Sequence, residues 1–161
     1  MSLTIRPSVE ADAPALAEVL NDIIAAGGTT AYETPFTPQA LWQSSLGGAK
    51  VLCCHTVLEG DTPVGFQTLA RHPDLPADWG SIASFTRRNP PVRGAGTALF
   101  EATKARARAL GLIAIDATIR ADNVPGLGYY GKMGFVDYNV IRAVPLSDGT
   151  LVDRIQRKYL L

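Results

Sequence analysis

The hydrophobic spacing of the chain changes character along its length, and that change limits the fold more than any other feature. Leu3 to Pro7 alternates as a short strand, and Val9 to Ala26 then carries Ala13, Leu16, Ala17, Leu20, Ile23 and Ile24 at helical spacing. Gly27-Gly28 closes that helix, and Thr37-Pro38 offers an N-cap with proline at the first position of a second helix reaching about Leu46. Three strands follow in succession, Lys50 to Leu58, Val64 to Arg71 and Trp79 to Arg88, the first two joined by the turn-rich Glu59-Gly60-Asp61-Thr62-Pro63. From there the pattern becomes strand, helix, strand, helix, strand. Gly94 to Leu110 is the longest helical stretch, and Gly111 stops it. Leu112 to Thr118 reads as a short apolar strand buried on both faces, and residues 124–133 as a glycine-interrupted helix. Phe135 to Val144 and Leu151 to Leu160 form a last pair of strands around Ser147-Asp148-Gly149. Antiparallel neighbours combined with a strand-helix-strand unit call for one mixed, largely antiparallel sheet covered by helices, an α/β (α+β) fold. No repeat, low-complexity tract or linker divides the chain, so residues 1–161 are expected to form a single domain.

Composition narrows the functional classes. With 47% apolar and 19% charged residues the chain is too apolar to be disordered. Fifteen basic residues balance fifteen acidic ones, so no positive field draws it onto nucleic acid or an anionic membrane. Residues 1–10 carry no apolar run behind a basic stretch, and no run of about 18 apolar residues occurs, which predicts a soluble, cytoplasmic protein. The only cysteines, Cys53 and Cys54, are adjacent and point to opposite faces of a strand. They support neither a disulfide framework nor a metal site, and read as buried thiols.

Two glycine-rich stretches carry the chemistry. Arg93-Gly94-Ala95-Gly96-Thr97-Ala98 follows a strand and opens the longest helix, where unpaired amides and the helix dipole attract phosphate. No Gly-Lys-Ser/Thr follows, so it is not a P-loop, and Leu99 stands where a dinucleotide fingerprint needs its third small residue. By itself it is either a phosphate cradle or an incidental turn. Gly126-Leu127-Gly128-Tyr129-Tyr130-Gly131 matches the dinucleotide pattern in letters, but Arg120 to Pro125 separates it from the preceding strand. An oxidoreductase built on it is therefore disfavoured.

Together the two stretches resemble the GNAT N-acetyltransferase superfamily. Arg93, Gly96 and Ala98 fall on the family's acyl-CoA loop, Gln/Arg-x-x-Gly-x-Gly/Ala, and Asn123, Gly126, Tyr130, Lys132 and Gly134-Phe135 follow its second pattern. The resemblance extends over nearly the whole chain and implies a fold of about seven strands and four helices. It implies that acetyl-CoA is held by the amides of Arg93, Gly94, Ala95, Gly96, Thr97 and Ala98, with the pantetheine arm paired to the backbone of Phe85, Thr86 and Arg88 where two strands splay. It further implies that Asn123 anchors the cofactor or the splayed strand, that Tyr130 protonates the departing thiolate, and that transfer is direct, without an acyl-enzyme. Many relatives dimerise through sheet edges and helices, so a homodimer is expected.

The acceptor side departs from the pattern. An alkylammonium, pKa roughly 10, must lose a proton before it attacks, and relatives that acetylate phosphinothricin and methionine sulfoximine often carry a glutamate on the strand before the cofactor loop. Here that strand reads Ser81-Ile82-Ala83-Ser84-Phe85-Thr86, with no carboxylate. Thr29 to Pro35 looks like their substrate loop, which makes Glu33 a candidate base or substrate ligand beside the alternative of a solvated surface glutamate. The reading is a small-molecule amine acetyltransferase acting on an amino acid or an analogue. A non-catalytic acyl-CoA-binding module is the alternative.

Overall fold

The computed structural model describes residues 2–161. Its strands are β1 (Leu3–Pro7), β2 (Val51–Glu59), β3 (Thr62–Ala70), β4 (Trp79–Thr86), β5 (Ala114–Arg120), β6 (Val136–Pro145) and β7 (Leu151–Leu160). They lie in one sheet in the order β1-β2-β3-β4-β5-β7-β6, every neighbouring pair antiparallel except β4 with β5. The helices are α1 (Ala13–Ala26), α2 (Pro38–Leu41), α3 (Ala95–Ala109) and α4 (Val124–Met133). None of the described helices is long and apolar enough to cross a membrane.

The helices cover both faces, and the pleat of the strands separates two main cores. Leu16, Leu20 and Ile24 of α1 pack with Leu41, Cys54 and Phe66 on one face. Phe100 and Ala107 of α3 pack with Leu69, Ile115, Tyr130 and Phe135 on the other. Cys53 contacts the second core and Cys54 belongs to the first, as adjacent strand residues must. Burial raises both thiols to about 11, so neither is a nucleophile at neutral pH.

Three elements differ from the sequence reading. The first helix begins as a 3-10 turn, Glu10–Asp12, because Asp12 turns inward to accept from the Arg6 guanidinium at 2.7 and 2.8 Å, Val9 N–H at 3.0 Å and Thr56 Oγ1 at 2.9 Å. The second helix starts as its cap predicts, with Thr37 Oγ1 accepting from Ala40 N–H, but after Leu41 it widens into a π turn over Trp42–Leu46. Strand β5 is buried on both faces over Ala114–Ala117, as expected, but it is not apolar throughout: Asp116, Thr118 and Arg120 alternate with Ile115, Ala117 and Ile119 and line a cavity.

Candidate active site

The site begins where the sheet fails to stay paired. β4 and β5 are joined only through Trp79 with Ala114, Gly80 with Ile115 and Ser81 with Asp116. Beyond these, β4 continues to Thr86 on β3, and β5 continues to Arg120 on β7. Two strand edges therefore diverge from Ser81 and Asp116, leaving backbone amides and carbonyls that need a partner. A cavity of about 1350 Å³ occupies this fork and opens towards α1 on one side and the β6–β7 hairpin on the other.

At the open end of the fork the chain turns into α3. Gly94 takes a left-handed conformation (φ 81°), Ala95 N–H donates to Val92 C=O at 3.3 Å, and Ala98 N–H is the first to bond along the helix, to Gly94 C=O at 3.0 Å. The amides of Gly96 and Thr97 between them have no carbonyl within the helix to bond and carry the positive end of its dipole. Gly96 lines the cavity, and a Cβ on it would come within 2.6 Å of the Tyr129 ring, so any side chain here displaces that ring. The fork edges, the first-turn amides and Arg88 on the cavity wall suit an elongated ligand that pairs with strand backbone and carries a phosphate end.

Of the predicted cofactor residues, Phe85, Thr86, Arg88, Gly96, Asn123 and Tyr130 border the cavity. Arg93, Gly94, Ala95, Thr97 and Ala98 do not, and the Ala95 side chain packs with Val57, Val64 and Leu99 instead. Arg87 and Arg88 diverge, as strand alternation requires: Arg87 reaches Glu59 at 3.0 Å and Arg88 reaches Thr29 Oγ1 at 2.9 Å. Asn123 caps α4, its Oδ1 accepting from Gly126 N–H at 3.0 Å, and a Cβ on Gly126 would strike it. The dinucleotide-like stretch Gly126 to Gly131 lies inside that helix, away from any strand end.

A buried polar chain that the motifs do not announce runs beneath the fork. Tyr129 Oη donates to Gly96 C=O at 2.7 Å, so it has only lone pairs to offer Gln67 Nε2 at 2.9 Å. This fixes which end of the amide faces the tyrosine. The second N–H of Gln67 goes to Ser84 Oγ at 2.8 Å, and Ser84 lies 2.9 Å from Tyr130 Oη. Ser84 can then give its own proton to Tyr130, which leaves the phenol's proton for a group in the cavity. Burial pushes Tyr129 up to about 12 and raises Tyr130 further, so both stay protonated.

On the acceptor side the loop between α1 and α2 is tied at several points. Asn21 bonds both the N–H and the C=O of Phe36, Arg120 donates to Thr30 C=O at 3.0 Å, and Tyr32 packs edge-on to Phe36. Glu33 lies outside the cavity lining: its carboxylate accepts from the Ser147 hydroxyl at 2.8 Å and from Ser147 N–H, on the turn between β6 and β7. Two other carboxylates border the cavity: Asp74, exposed on the β3–β4 connection beside His72, and Asp116, buried, which the sequence reading passed over inside an apolar run. A charge within Ala114-Ile115-Asp116-Ala117 was the available signal.

The profile of the acetyltransferase (GNAT) family matches residues 17–135, a span holding the fork, the α3 turn and α4. The chain belongs to the GNAT family. Its GNAT fold is shared by an N-acetyltransferase from Staphylococcus aureus Mu50, at 18% identity and TM-score 0.86 over 99% of both chains. A GNAT superfamily phosphinothricin acetyltransferase from Sinorhizobium meliloti in complex with AcCoA aligns at 19% identity and TM-score 0.85, over 100% of this chain and 89% of that one. A ribosomal-protein-alanine N-acetyltransferase from Brucella melitensis aligns at 18% identity and TM-score 0.84, over 98% and 99%. At these identities the likeness concerns the fold. No curated protein matches the chain. As a GNAT enzyme it is an acetyltransferase, and acetyl-CoA is its co-substrate.

Proposed function

We propose that the protein transfers the acetyl group of acetyl-CoA directly to the amino group of a small molecule, an amino acid or an analogue of one. The observation that carries this reading is the fork, which opens at one end beside the α3 amides and closes at the other on Ser81 and Asp116. A cofactor whose phosphates lie on the α3 turn, on the amides around Arg93 to Ala98, points its acyl end into the closed end. Phe85, Thr86 and Arg88 present strand backbone along that path, and a free N–H there stabilises the oxyanion that develops on the thioester carbonyl. Asn123 keeps α4, and with it Tyr130, against the fork. Tyr130 supplies a proton to sulfur as the C–S bond breaks. A carboxylate-bearing acceptor is supported by Arg154, which borders the cavity while the nearby acids are engaged, Asp122 by Arg120 and Asp153 by Arg142. Glu33 serves the acceptor side by fastening its loop to the β6–β7 turn.

The same reading places the protein in the cytoplasm, in keeping with two unpaired thiols, as one domain and as a homodimer through the exposed edge strand β6. The test combines calorimetry with CoA and thiol release from acetyl-CoA across amino acids, phosphinothricin, methionine sulfoximine, polyamines and aminoglycosides. CoA binding with thiol release is expected; binding without release on any amine would make the chain an acyl-CoA-binding module. In the active assay Tyr130→Phe should lower kcat by about 10²- to 10⁴-fold with little change in KM. Because burial holds the phenol protonated, wild-type kcat should show no descending limb below about pH 10, the ordinary phenol value. A loss of kcat under about tenfold, well short of that range, would make Tyr130 a packing residue.

A further inference from the structure

Asp116 is at the apex of the fork, opposite Ser81 in the last register pair before β4 and β5 part. The residue is 2% exposed, yet it borders the cavity. Thr118 Oγ1 donates to one carboxylate oxygen at 2.8 Å and Tyr138 Oη to the other at 2.5 Å, which leaves a lone pair on each for an incoming donor. No ion pair satisfies it among the described residues. Lys158, its neighbour across β7, holds its ammonium over the Tyr138 ring, and His72 faces it from the exposed β3–β4 connection. A buried carboxylate left without a cation is costly unless something cationic arrives. The strand opposite, from Ser81 to Thr86, has no carboxylate of its own.

We propose that Asp116 binds the acceptor's ammonium group at the fork apex and is the base that deprotonates it, the acceptor entering through the cavity on the side of the β6–β7 hairpin. The inference rests on the N-acetyltransferase reading. Asp116 takes one proton from the ammonium, and the freed lone pair forms the N–C bond to the thioester carbonyl. The C–S bond then breaks with its electron pair on sulfur, which receives the Tyr130 proton. The second proton leaving nitrogen restores Tyr130 through water, and Asp116 releases its own to solvent. Burial raises the Asp116 pKa above the ordinary carboxylate value against the pull of Tyr138, Thr118 and His72, which makes it a stronger base.

The test needs no knowledge of the natural acceptor. Phenethylammonium and 2-phenylethanol, matched in ring and length, are titrated calorimetrically into the CoA-bound protein. Wild type should prefer the cation by about tenfold or more, the worth of a charged hydrogen bond. Asp116→Asn should erase the preference, and Glu33→Gln should retain it. Equal binding of both probes to wild type, or a preference that survives in Asp116→Asn, overturns the proposal; loss in Glu33→Gln alone moves the role to Glu33. If Asp116→Asn does not fold, a pH series in a His72→Gln, Asp74→Asn double variant decides, because Asp116 is then the one carboxyl left on the cavity lining among the described residues. The preference is present above the Asp116 pKa and should fade on acidification before pH reaches about 3.9, the ordinary carboxylate value. A preference unchanged down to that pH refutes the role. Failure of wild type to bind CoA would sink the acetyltransferase reading itself, whereas CoA binding without amine preference removes only Asp116.

Discussion

Two buried aspartates, Asp12 and Asp116, are each 2% exposed and have opposite chemistry. Both pay a desolvation penalty that favours the neutral acid. At Asp12 the Arg6 guanidinium, Val9 N–H and Thr56 hydroxyl outweigh it and lower the pKa, whereas Asp116 has two hydroxyl donors and no paired cation, and its pKa rises. Asp12 is therefore structural. A depressed folded pKa contributes stability that is present above the unfolded value, about 3.9, and lost as pH falls through the folded one. Asp12→Asn should cost roughly 1–3 kcal/mol at pH 7, nearer the lower figure because water screens the partly exposed Arg6. Urea unfolding should show the deficit shrinking below about pH 4, where the wild-type carboxylate is also titrating. A deficit equal at pH 7 and pH 3 would assign it to packing. At the same scale the motif points to Tyr130, while the hydroxyl chain that orients it depends on Gln67 and Ser84, from strands far away in sequence.

Among the elements, α3 joins local sequence to function most directly. Its cap is a left-handed glycine, its first turn has no acidic residue, and its last turn carries Arg106 and Arg108, a charge order suited to the dipole and to an anion at the N-terminus. Thr97, exposed in that first turn, allows the two effects to be separated. Thr97→Glu should stabilise the helix by about 0.3–1 kcal/mol through the dipole while opposing bound phosphates. The melting temperature should hold or rise as CoA affinity falls about tenfold or more, a change of ~1.4 kcal/mol. Unchanged CoA affinity in the folded variant would move the phosphate site off α3. Gly96 is a poorer probe, because any side chain there also displaces the Tyr129 ring.

For the whole molecule, β6 is the exposed edge of the sheet, with Val136, Tyr138, Val140 and Ile141 all more than a third exposed. Such an edge is a template for a second chain unless it is covered or charged. Val140 is apolar, on the edge and outside the cavity lining. Val140→Lys should convert a homodimer to monomer in sedimentation velocity and leave CoA binding intact. A wild-type monomer, or a dimer unaffected by the change, removes β6 as the interface. The hairpin formed by β6 and β7 also receives Glu33, so the loop between α1 and α2 is joined to the same edge.

Much of the fold was legible because hydrophobic period, caps and glycines are local properties. β7 and α4 have the predicted bounds, and Thr37, Gly94 and Gly111 mark helix ends as their chemistry requires. For the same reason, a turn after a strand and an asparagine-to-phenylalanine pattern along one helix picked out Gly96, Asn123 and Tyr130, which border one cavity, while Arg93, Gly94, Ala95, Thr97 and Ala98 lie off its wall. The acceptor side was not legible in this way. Asp116 looks like an interruption of an apolar strand until the β4–β5 pairing stops beside it, and that the Glu33 carboxylate bonds Ser147, on a distant hairpin, has no signal in the loop's own sequence. Which carboxylates face the cavity depends on where two strands part and which loop packs on which turn. Those are contacts between distant segments, set by tertiary packing rather than by the spacing of residues along the chain.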